Sequence, residues 1–303
     1  VTMLSEVCLP EGFVITGRWN GHVYRVLGLL GEGANGKVYL VRQGRDLFAL
    51  KMGFDLPDLQ SEINILKSLM QGSAEYRGFM TDVDDIRLGA RCLPFYVMRY
   101  VKGLPPLTFI RKYGPEWFHV IGGGLLRKLA NLHRSGWAFC DLKQENVLVT
   151  GNGKVELIDF GGLTPIGKPV RQFTEFSDRG YWNAGSRTAD EGYDLFAFAI
   201  LCLQLAAKKP DFAQFAGWLP QNRHTGELVA TIRACPLLQP YAPVLVRAVQ
   251  GAYRSSPDAL TDWNRSFSGH ARPMPVRAAR PWLGLSFAAS LVFFASAAYY
   301  CWH

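Results

Sequence analysis

The segment "GEGANGKVYLV" at residues 31–41 restricts the fold more than any other part of the chain. Gly31, Gly33 and Gly36 follow the spacing G-x-G-x-x-G, which alone serves dinucleotide-binding folds as well as nucleotide lids. The next six residues separate the two. A dinucleotide site needs a helix there, whereas Lys37 to Arg42, with Val38, Tyr39 and Val41, reads as another strand. A strand-turn-strand glycine loop lets backbone N–H groups approach the phosphates of a nucleotide from above. A glycine hairpin with no ligand has the same local pattern, so the loop needs company.

That company comes in a fixed order. The apolar strand "FALKM" carries Lys51, which can pair the α and β phosphates if a carboxylate holds its head in place. Glu62 is the candidate carboxylate, just off the stripe Leu59, Ile63, Leu66 and Met70 of a predicted helix. The stretch "FCDLKQEN" at 139–146 offers Asp141 to orient a hydroxyl and accept its proton, Lys143 to neutralise transferring charge, and Asn146 to hold Mg²⁺. Asp159 in "LIDFGG", after the strand "KVELI", is a second magnesium ligand. Each pair alone would suit a surface loop, but all of them in this order point to phosphoryl transfer.

The rest of the chain sorts into a small β-rich part and a larger helical part. Asn20-Gly21 predicts a tight hairpin turn with two positive φ angles, Gly44 marks a second turn, and "LPFYVMRYVKG" is a further β-rich run. "EWFHVIGGGLLRKLANLHRSG" and "YDLFAFAILCLQLAAKKP" read as helices, the second too broken by Lys208, Lys209 and Pro210 to span a bilayer. With 49% apolar residues among 303, a core is assured. Six cysteines without a C-x-x-C pair suggest neither a zinc site nor a disulfide framework, hence a reducing compartment.

Residues 282–302 contain no charge, a length that matches the ~30 Å of a bilayer core at about 1.5 Å per residue. Aromatics stand near both ends, and Arg265, Arg272, Arg277 and Arg280 precede the stretch with no acid among them. This predicts a single-pass tail anchor with the folded domain in the cytoplasm, a buried C-terminal helix being the alternative. The balance of 33 Lys+Arg against 25 Asp+Glu favours anionic partners. Lys208, Lys209, Arg223, Arg233, Arg247 and Arg254, against Asp211 and Glu227, join the linker arginines as a surface for anionic lipid or for DNA phosphates.

Over about residues 22–262 the chain resembles the eukaryotic-like bacterial serine/threonine protein kinases. It is most similar to the tail-anchored, DNA-binding kinases associated with spore formation in Gram-positive bacteria, on "GEGANGKVYLV", "QFTEFSDRGYWNAGSRTADEGYDLFAFA" and the C-terminal stretch. The resemblance implies an α+β bilobal kinase fold: an N-terminal extension and hairpin (1–21), an N-lobe (22–101), a C-lobe (102–262), a basic linker (263–281) and a transmembrane helix (282–302). It implies ATP with Mg²⁺, or Mn²⁺ in its place, and protein Ser/Thr hydroxyls as acceptors. Val38 and Ala49 would line the adenine pocket, Met98 would be the gatekeeper, Arg99 to Val101 the hinge, and Asp194 a brace for the catalytic loop. Lys143 matches serine/threonine rather than tyrosine kinases.

Two departures bear on control. "NAGSR" stands where the family has Ala-Pro-Glu, which removes a glutamate from the substrate side. Phe139-Cys140 replaces a His-Arg pair whose arginine grips a phosphate on the activation segment. Thr164, Thr174, Ser177, Ser186 and Thr188 remain as acceptors, but nothing beside Asp141 reads their charge. Control is then expected from homodimerisation, a cytosolic partner, or an anion on the basic surface. The rival readings are a pseudokinase, a small-molecule kinase and a membrane-tethered DNA-binding module that keeps the fold.

Overall fold

The computed structural model describes residues 8–33, 36–89, 91–206, 219 and 222–268. The stretch 282–302, Arg272, Arg277, Arg280, Lys208, Lys209 and Asp211 lie outside the described residues. Among those described, no helix is long and apolar enough to cross a membrane.

Strands β1 (Val14–Thr16), β2 (Val23–Gly33), β3 (Gly36–Gln43), β4 (Asp46–Gly53), β5 (Met80–Leu88) and β6 (Arg91–Arg99) form an antiparallel sheet in the order β1-β2-β3-β4-β6-β5. Side chains alternate across a strand, so β4 serves two purposes at once. Leu50 and Met52 pack with Tyr39, Val41, Phe95 and Val97 on the outer face, while Ala49 joins the main core on the other. Lys51 shares that second face. Helix α1 (Leu56–Gly72) covers it with Leu59, Ile63, Leu66 and Leu69.

The Gly44 turn is as expected, with φ +59. The Asn20-Gly21 turn is not: Thr16 pairs with Val23, so residues 17–22 form a longer loop and only Gly21 takes a positive φ. Asp84 on β5 is the physical reason. Its carboxylate accepts hydrogen bonds from the backbone N–H of Trp19 (3.0 Å) and Asn20 (2.9 Å), which satisfies a wider turn from the strand at the other end of the sheet order.

The helical part follows the short strand β7 (Gly103–Leu104): α2 (Pro106–Tyr113), α3 (Trp117–Arg134), strands β8 (Trp137–Ala138), β9 (Val147–Thr150), β10 (Val155–Leu157) and β11 (Thr164–Pro165), then α4 (Glu191–Ala206), α5 (Thr225–Ala234), α6 (Ala242–Val249) and α7 (Ser256–Ser268). Helix α4 buries every residue from Tyr193 to Leu203, all of them uncharged except Asp194. Three successive glycines sit inside α3, against helix propensity, and packing explains them. A Cβ on Gly122 would fall 2.1 Å from the Trp263 ring of α7, and one on Gly124 would fall 2.8 Å from Val155. Trp263 is fully buried, stacks on Tyr241 at 4.4 Å between centroids, and donates its indole N–H to the carbonyl of His119 at 3.0 Å.

Candidate active site

The register of the sheet builds the first half of the site. Val38, Lys51 and Tyr96 lie side by side on β3, β4 and β6, and Ala49 lies beside Met98. Helix α1 starts at Asp55, whose side chain accepts from the N–H of Asp58 at 3.0 Å, and one turn later its buried face brings Glu62 to the sheet. Lys51 Nζ donates to Glu62 Oε1 and to Asp159 Oδ1, both at 2.9 Å. The Tyr96 hydroxyl donates to the same Glu62 oxygen at 2.8 Å. Burial works against the charge on Lys51, but Glu62 and then Asp159 outweigh it and hold the ammonium above its ordinary pKa. Burial likewise opposes ionisation of Asp159, and Lys51 reverses it, leaving that carboxyl below its usual range.

The glycine hairpin belongs to the same sheet, with Gly33 paired to Gly36 and Gly36 to Gly53. Gly36 has φ +152, and a Cβ there would fall 2.2 Å from the carbonyl oxygen of Met52, so the fold itself requires glycine. At Gly31 and Gly33 a Cβ would meet nothing within 4 Å. Packing of the chain therefore does not demand glycine at those two positions. Val101 is half-buried in the link from β6 to β7.

The catalytic loop runs from β8 to β9. Asn146 Nδ2 donates to the Asp141 carbonyl at 2.8 Å and to its Oδ2 at 3.0 Å, Lys143 Nζ donates to Oδ2 at 2.8 Å, and Thr174 Oγ1 donates to Oδ1 at 2.9 Å. With its amide nitrogen so committed, Asn146 has its amide oxygen left as the atom that can take a ligand. Asp159 keeps Oδ2 beyond its bonds from Lys51 and from the Gly161 N–H (3.3 Å), and half of its side chain is exposed. One amide oxygen and one carboxylate oxygen suit Mg²⁺, which keeps few protein ligands and completes its shell with phosphates and water. Among the described residues no cluster of three or more His, Cys, Asp or Glu exists to hold a metal by protein alone.

Cys140 (φ +65) and Asp159 (φ +59) both take left-handed backbone conformations, which cost a non-glycine residue about 1–3 kcal/mol. Asp194 on α4 compensates at the first: its carboxylate accepts from the N–H of Phe139 at 2.6 Å and of Cys140 at 2.8 Å. Asp194 thus holds the backbone N–H groups of residues 139 and 140. His133 on α3 shares Asp194 Oδ2 through Nε2 at 2.9 Å. Burial opposes its charge, but Asp194 and Glu191 lift its pKa to about 9.

Phe139 fills the histidine position with its ring edge-on to Phe160, at 5.8 Å between centroids. The Cys140 thiol packs in a small cluster with Ala138, Ala189 and Tyr193, and burial, reinforced by Asp194, pushes it well above the ordinary thiol pKa. A redox sensor needs the opposite conditions. Of the activation-segment acceptors, Thr164 and Ser177 are buried, Thr174 and Thr188 are half-buried, and Ser186 is exposed.

The segment also carries a buried carboxylate that sequence reading overlooked. Asp178, wholly buried, accepts from the N–H groups of Gly180 and Tyr181 (both 3.0 Å), from the Tyr193 hydroxyl (2.9 Å) and from Arg187 Nε (2.7 Å). Arg179 grips Asp190 with two nitrogens, at 2.8 and 2.7 Å. Tyr96, His133 and a buried Lys128–Glu156 pair (2.7 Å) were also missed. Charges in "SDRG" within an aromatic stretch were the only visible signal for the first of these.

The basic surface is partly spoken for. Arg247 donates to Asp262 at 2.5 Å and Arg223 lies 3.8 Å above the Tyr181 ring, while Arg233 and Arg254 are exposed.

Comparison with known proteins agrees with this geometry. A family model for the protein kinase domain matches residues 24–238. The chain is 37% identical over 282 residues to serine/threonine-protein kinase YabT of Bacillus subtilis, covering 91% of this chain and 81% of that one. It is 30% identical over 148 residues to a probable cAMP-dependent protein kinase catalytic subunit of Encephalitozoon cuniculi, covering 44% of each. Among solved structures, vaccinia related kinase 3 superposes with a TM-score of 0.62 at 13% identity, covering 88% of this chain and 93% of that one. The ROP18 kinase domain in complex with AMP-PNP and sucrose gives 0.58 at 14% identity, covering 86% and 84%.

Proposed function

The chain belongs to the protein kinase family and is an ATP-dependent serine/threonine kinase; from that premise we propose that it is anchored in the membrane by its C-terminus, phosphorylates itself as well as other proteins, and works without a phosphate latch on its activation segment. The phosphoryl-transfer part of this reading rests on Lys51 Nζ held between Glu62 and Asp159 at 2.9 Å each, the arrangement a phosphate-positioning lysine needs. Asp141 Oδ1 accepts the hydroxyl of Thr174, so a substrate Ser or Thr hydroxyl can take the same edge and give up its proton there. Lys143 lies beside that carboxylate to balance charge on the transferring group. Asn146 and Asp159 would hold Mg²⁺, which would supply neutralisation of phosphate charge.

Independence from a latch is supported by what already holds the segment. The N–H of Gly167 bonds to Ala189 O (2.8 Å), that of Ala189 to Lys168 O (2.8 Å) and that of Val170 to Arg187 O (2.9 Å), and Asp178 and Asp190 carry their own arginines. No part of this requires a phosphate. The anchor is supported by the uncharged stretch 282–302 behind four arginines, a flank that favours the cytoplasmic side for the kinase domain. Anionic lipid is the partner that suits such a flank best, with DNA and a second copy of the chain as the alternatives.

Incubation of the full chain with labelled ATP and Mg²⁺ should label the protein, and Asp141→Asn and Lys51→Ala should each abolish the label. Nucleotide binding without transfer would instead identify a pseudokinase. Flotation with anionic vesicles should depend on 282–302, and rates measured with vesicles, with duplex DNA and over a concentration series separate lipid, DNA and self-association as inputs.

A further inference from the structure

Cys140 reaches Asp141 through a left-handed backbone, and the peptide N–H groups on either side of Phe139 are held by one carboxylate, Asp194. A carboxylate can fix two amides only if it cannot turn. Asp194 is fully buried, and the group that fixes its second oxygen is the ring of His133, through Nε2 at 2.9 Å. The ring in turn is fixed from its other nitrogen. His133 Nδ1 meets Ser256 Oγ at 2.8 Å, and the same hydroxyl donates to Glu191 Oε2 at 2.8 Å. The backbone N–H of Ser256 donates to that Glu191 oxygen at 2.5 Å.

Ser256 is the first residue of α7 and has no exposed surface. Its neighbour Ser255 provides the contrast. Ser255 Oγ bonds to Asp258 Oδ2 at 2.8 Å at the same helix end, but on the exposed side and without reaching α3 or α4. An ordinary helix start needs only the Ser255 type of contact. Ser256 instead spends its hydroxyl on a buried histidine and a carboxylate that belong to two other helices.

We propose that Ser256 is a positioning residue for the catalytic loop, acting through His133 and Asp194 on the amides of Phe139 and Cys140, so that the seating of α7 sets the geometry of Asp141. The far part of α7 is seated by Trp263 against Gly122, and the near end by Ser256. Without the hydroxyl, Nδ1 loses its 2.8 Å partner and keeps only Glu191 Oε2, at 3.5 Å, so Asp194 gains freedom to rotate and the strained Cys140 peptide is less firmly pinned. The reacting group affected is Asp141, not the nucleotide pocket, so turnover should suffer while ATP affinity does not.

The test compares Ser256→Ala, Ser256→Thr, Glu191→Gln and Ser255→Ala in the full chain. Ser256→Ala should lower kcat about tenfold, the size expected for one charge-assisted hydrogen bond, with KM for ATP within about twofold of the parent. Amide exchange in a peptide spanning Phe139 and Cys140 should speed up in this variant and not in Ser255→Ala, which should keep its kcat. Ser256→Thr retains the hydroxyl and should recover most of the turnover. If the added methyl prevents folding, Glu191→Gln, which keeps an acceptor oxygen at reduced charge, should give a loss smaller than that of Ser256→Ala in the same assay. Equal kcat in Ser256→Ala and Ser255→Ala, unchanged exchange at 139–140, or a rise in KM in place of the fall in kcat would each overturn the proposal.

Discussion

Lys128→Met tests whether the two parts of the molecule are joined by buried charge. Lys128 on α3 donates to Glu156 Oε2 on β10 at 2.7 Å and pairs with Glu75 Oε1, in the loop behind α1, at 2.5 Å. The lysine and Glu156 side chains are 8% and 7% exposed, and Glu75 is 26% exposed. Breaking a buried pair from one side costs about 3–5 kcal/mol because a charge is left without its partner. Lys154 remains on the other Glu156 oxygen at 2.5 Å and Asn131 still donates to Glu75 at 2.8 Å, so the lower end, about 3 kcal/mol, applies. For a domain of this size that lowers the melting temperature by about 6–12 °C. The pH dependence has a definite sign. Burial would raise the Glu156 pKa, but Lys128 and Lys154 outweigh it and hold it below the carboxylate value of 4.5. In the parent, this glutamate therefore contributes stability above that value, lost as pH falls through its folded pKa. Without Lys128 the charged form keeps only Lys154 and, at 3.7 Å, Arg99 to offset its burial, so protonating it costs less. Melting curves at about pH 7.5 and about pH 4.5 should thus show a penalty that shrinks toward acid. Lys128→Met with Glu156→Leu should recover most of it, since an apolar pair can replace a buried ionic one. A drop below about 3 °C at neutral pH, an equal drop at both pH values, or no recovery in the double variant would refute the account.

Gly122→Ala places a Cβ 2.1 Å from Trp263 and should destabilise by about 1–3 kcal/mol in denaturant unfolding, whereas Gly123→Ala meets only ordinary contact at 3.4 Å and should be neutral or stabilising. Tyr96→Phe removes one donor from Glu62 but leaves Lys51, so kcat/KM for ATP should fall about fivefold, read from steady-state rates. His133, facing Asp194, Glu191 and the Ser256 hydroxyl, has its pKa raised from 6.5 to about 9, so its contribution to stability is complete below 6.5 and is lost as pH rises through about 9. Glu191, lowered to about 2 chiefly by its bond from His133, keeps its contribution above 4.5 and loses it only as pH falls through about 2. A pH series of melts on the parent and on His133→Gln should show the alkaline slope in the parent alone.

The parts of the site that could be read from the sequence are those whose partners lie at short, fixed offsets. Gly31, Gly33 and Gly36 share one hairpin, and Asp141, Lys143 and Asn146 share one loop closed by its own hydrogen bonds. Glu62 could be read because helical spacing puts it at the edge of a buried stripe. Tyr96 could not, because only the pairing of β4 with β6 sets it beside Lys51, and a strand carries no mark of its register with a distant neighbour. The loop at Asn20-Gly21 failed for the same reason, since Asp84 reaches it from β5. His133 and Ser256 read as one more polar residue at the end of a helix and one more at the start of another. Their meeting depends on α3, α4 and α7 packing together, which Gly122 and Trp263 make possible.

Phe139 and Cys140 show how the loop can lose its usual side chains and keep its geometry. What Asp141 needs from the two residues before it is a fixed backbone, and both of their N–H groups are held by Asp194 whatever side chains they carry. Side chains at 139 and 140 are then free to follow their surroundings: an aromatic ring against Phe160, and a small thiol under Ala189 and Tyr193. A guanidinium at 140 would have to enter that apolar cluster or displace it, and the segment above is already tied by Arg187 to Asp178 and by Arg179 to Asp190. The cations that another kinase aims at a phosphate are here aimed at carboxylates encoded a few residues away. A charge that is always present cannot switch, and the contacts that fix the backbone before Asp141 run instead from Asp194 through His133 to Ser256 on α7.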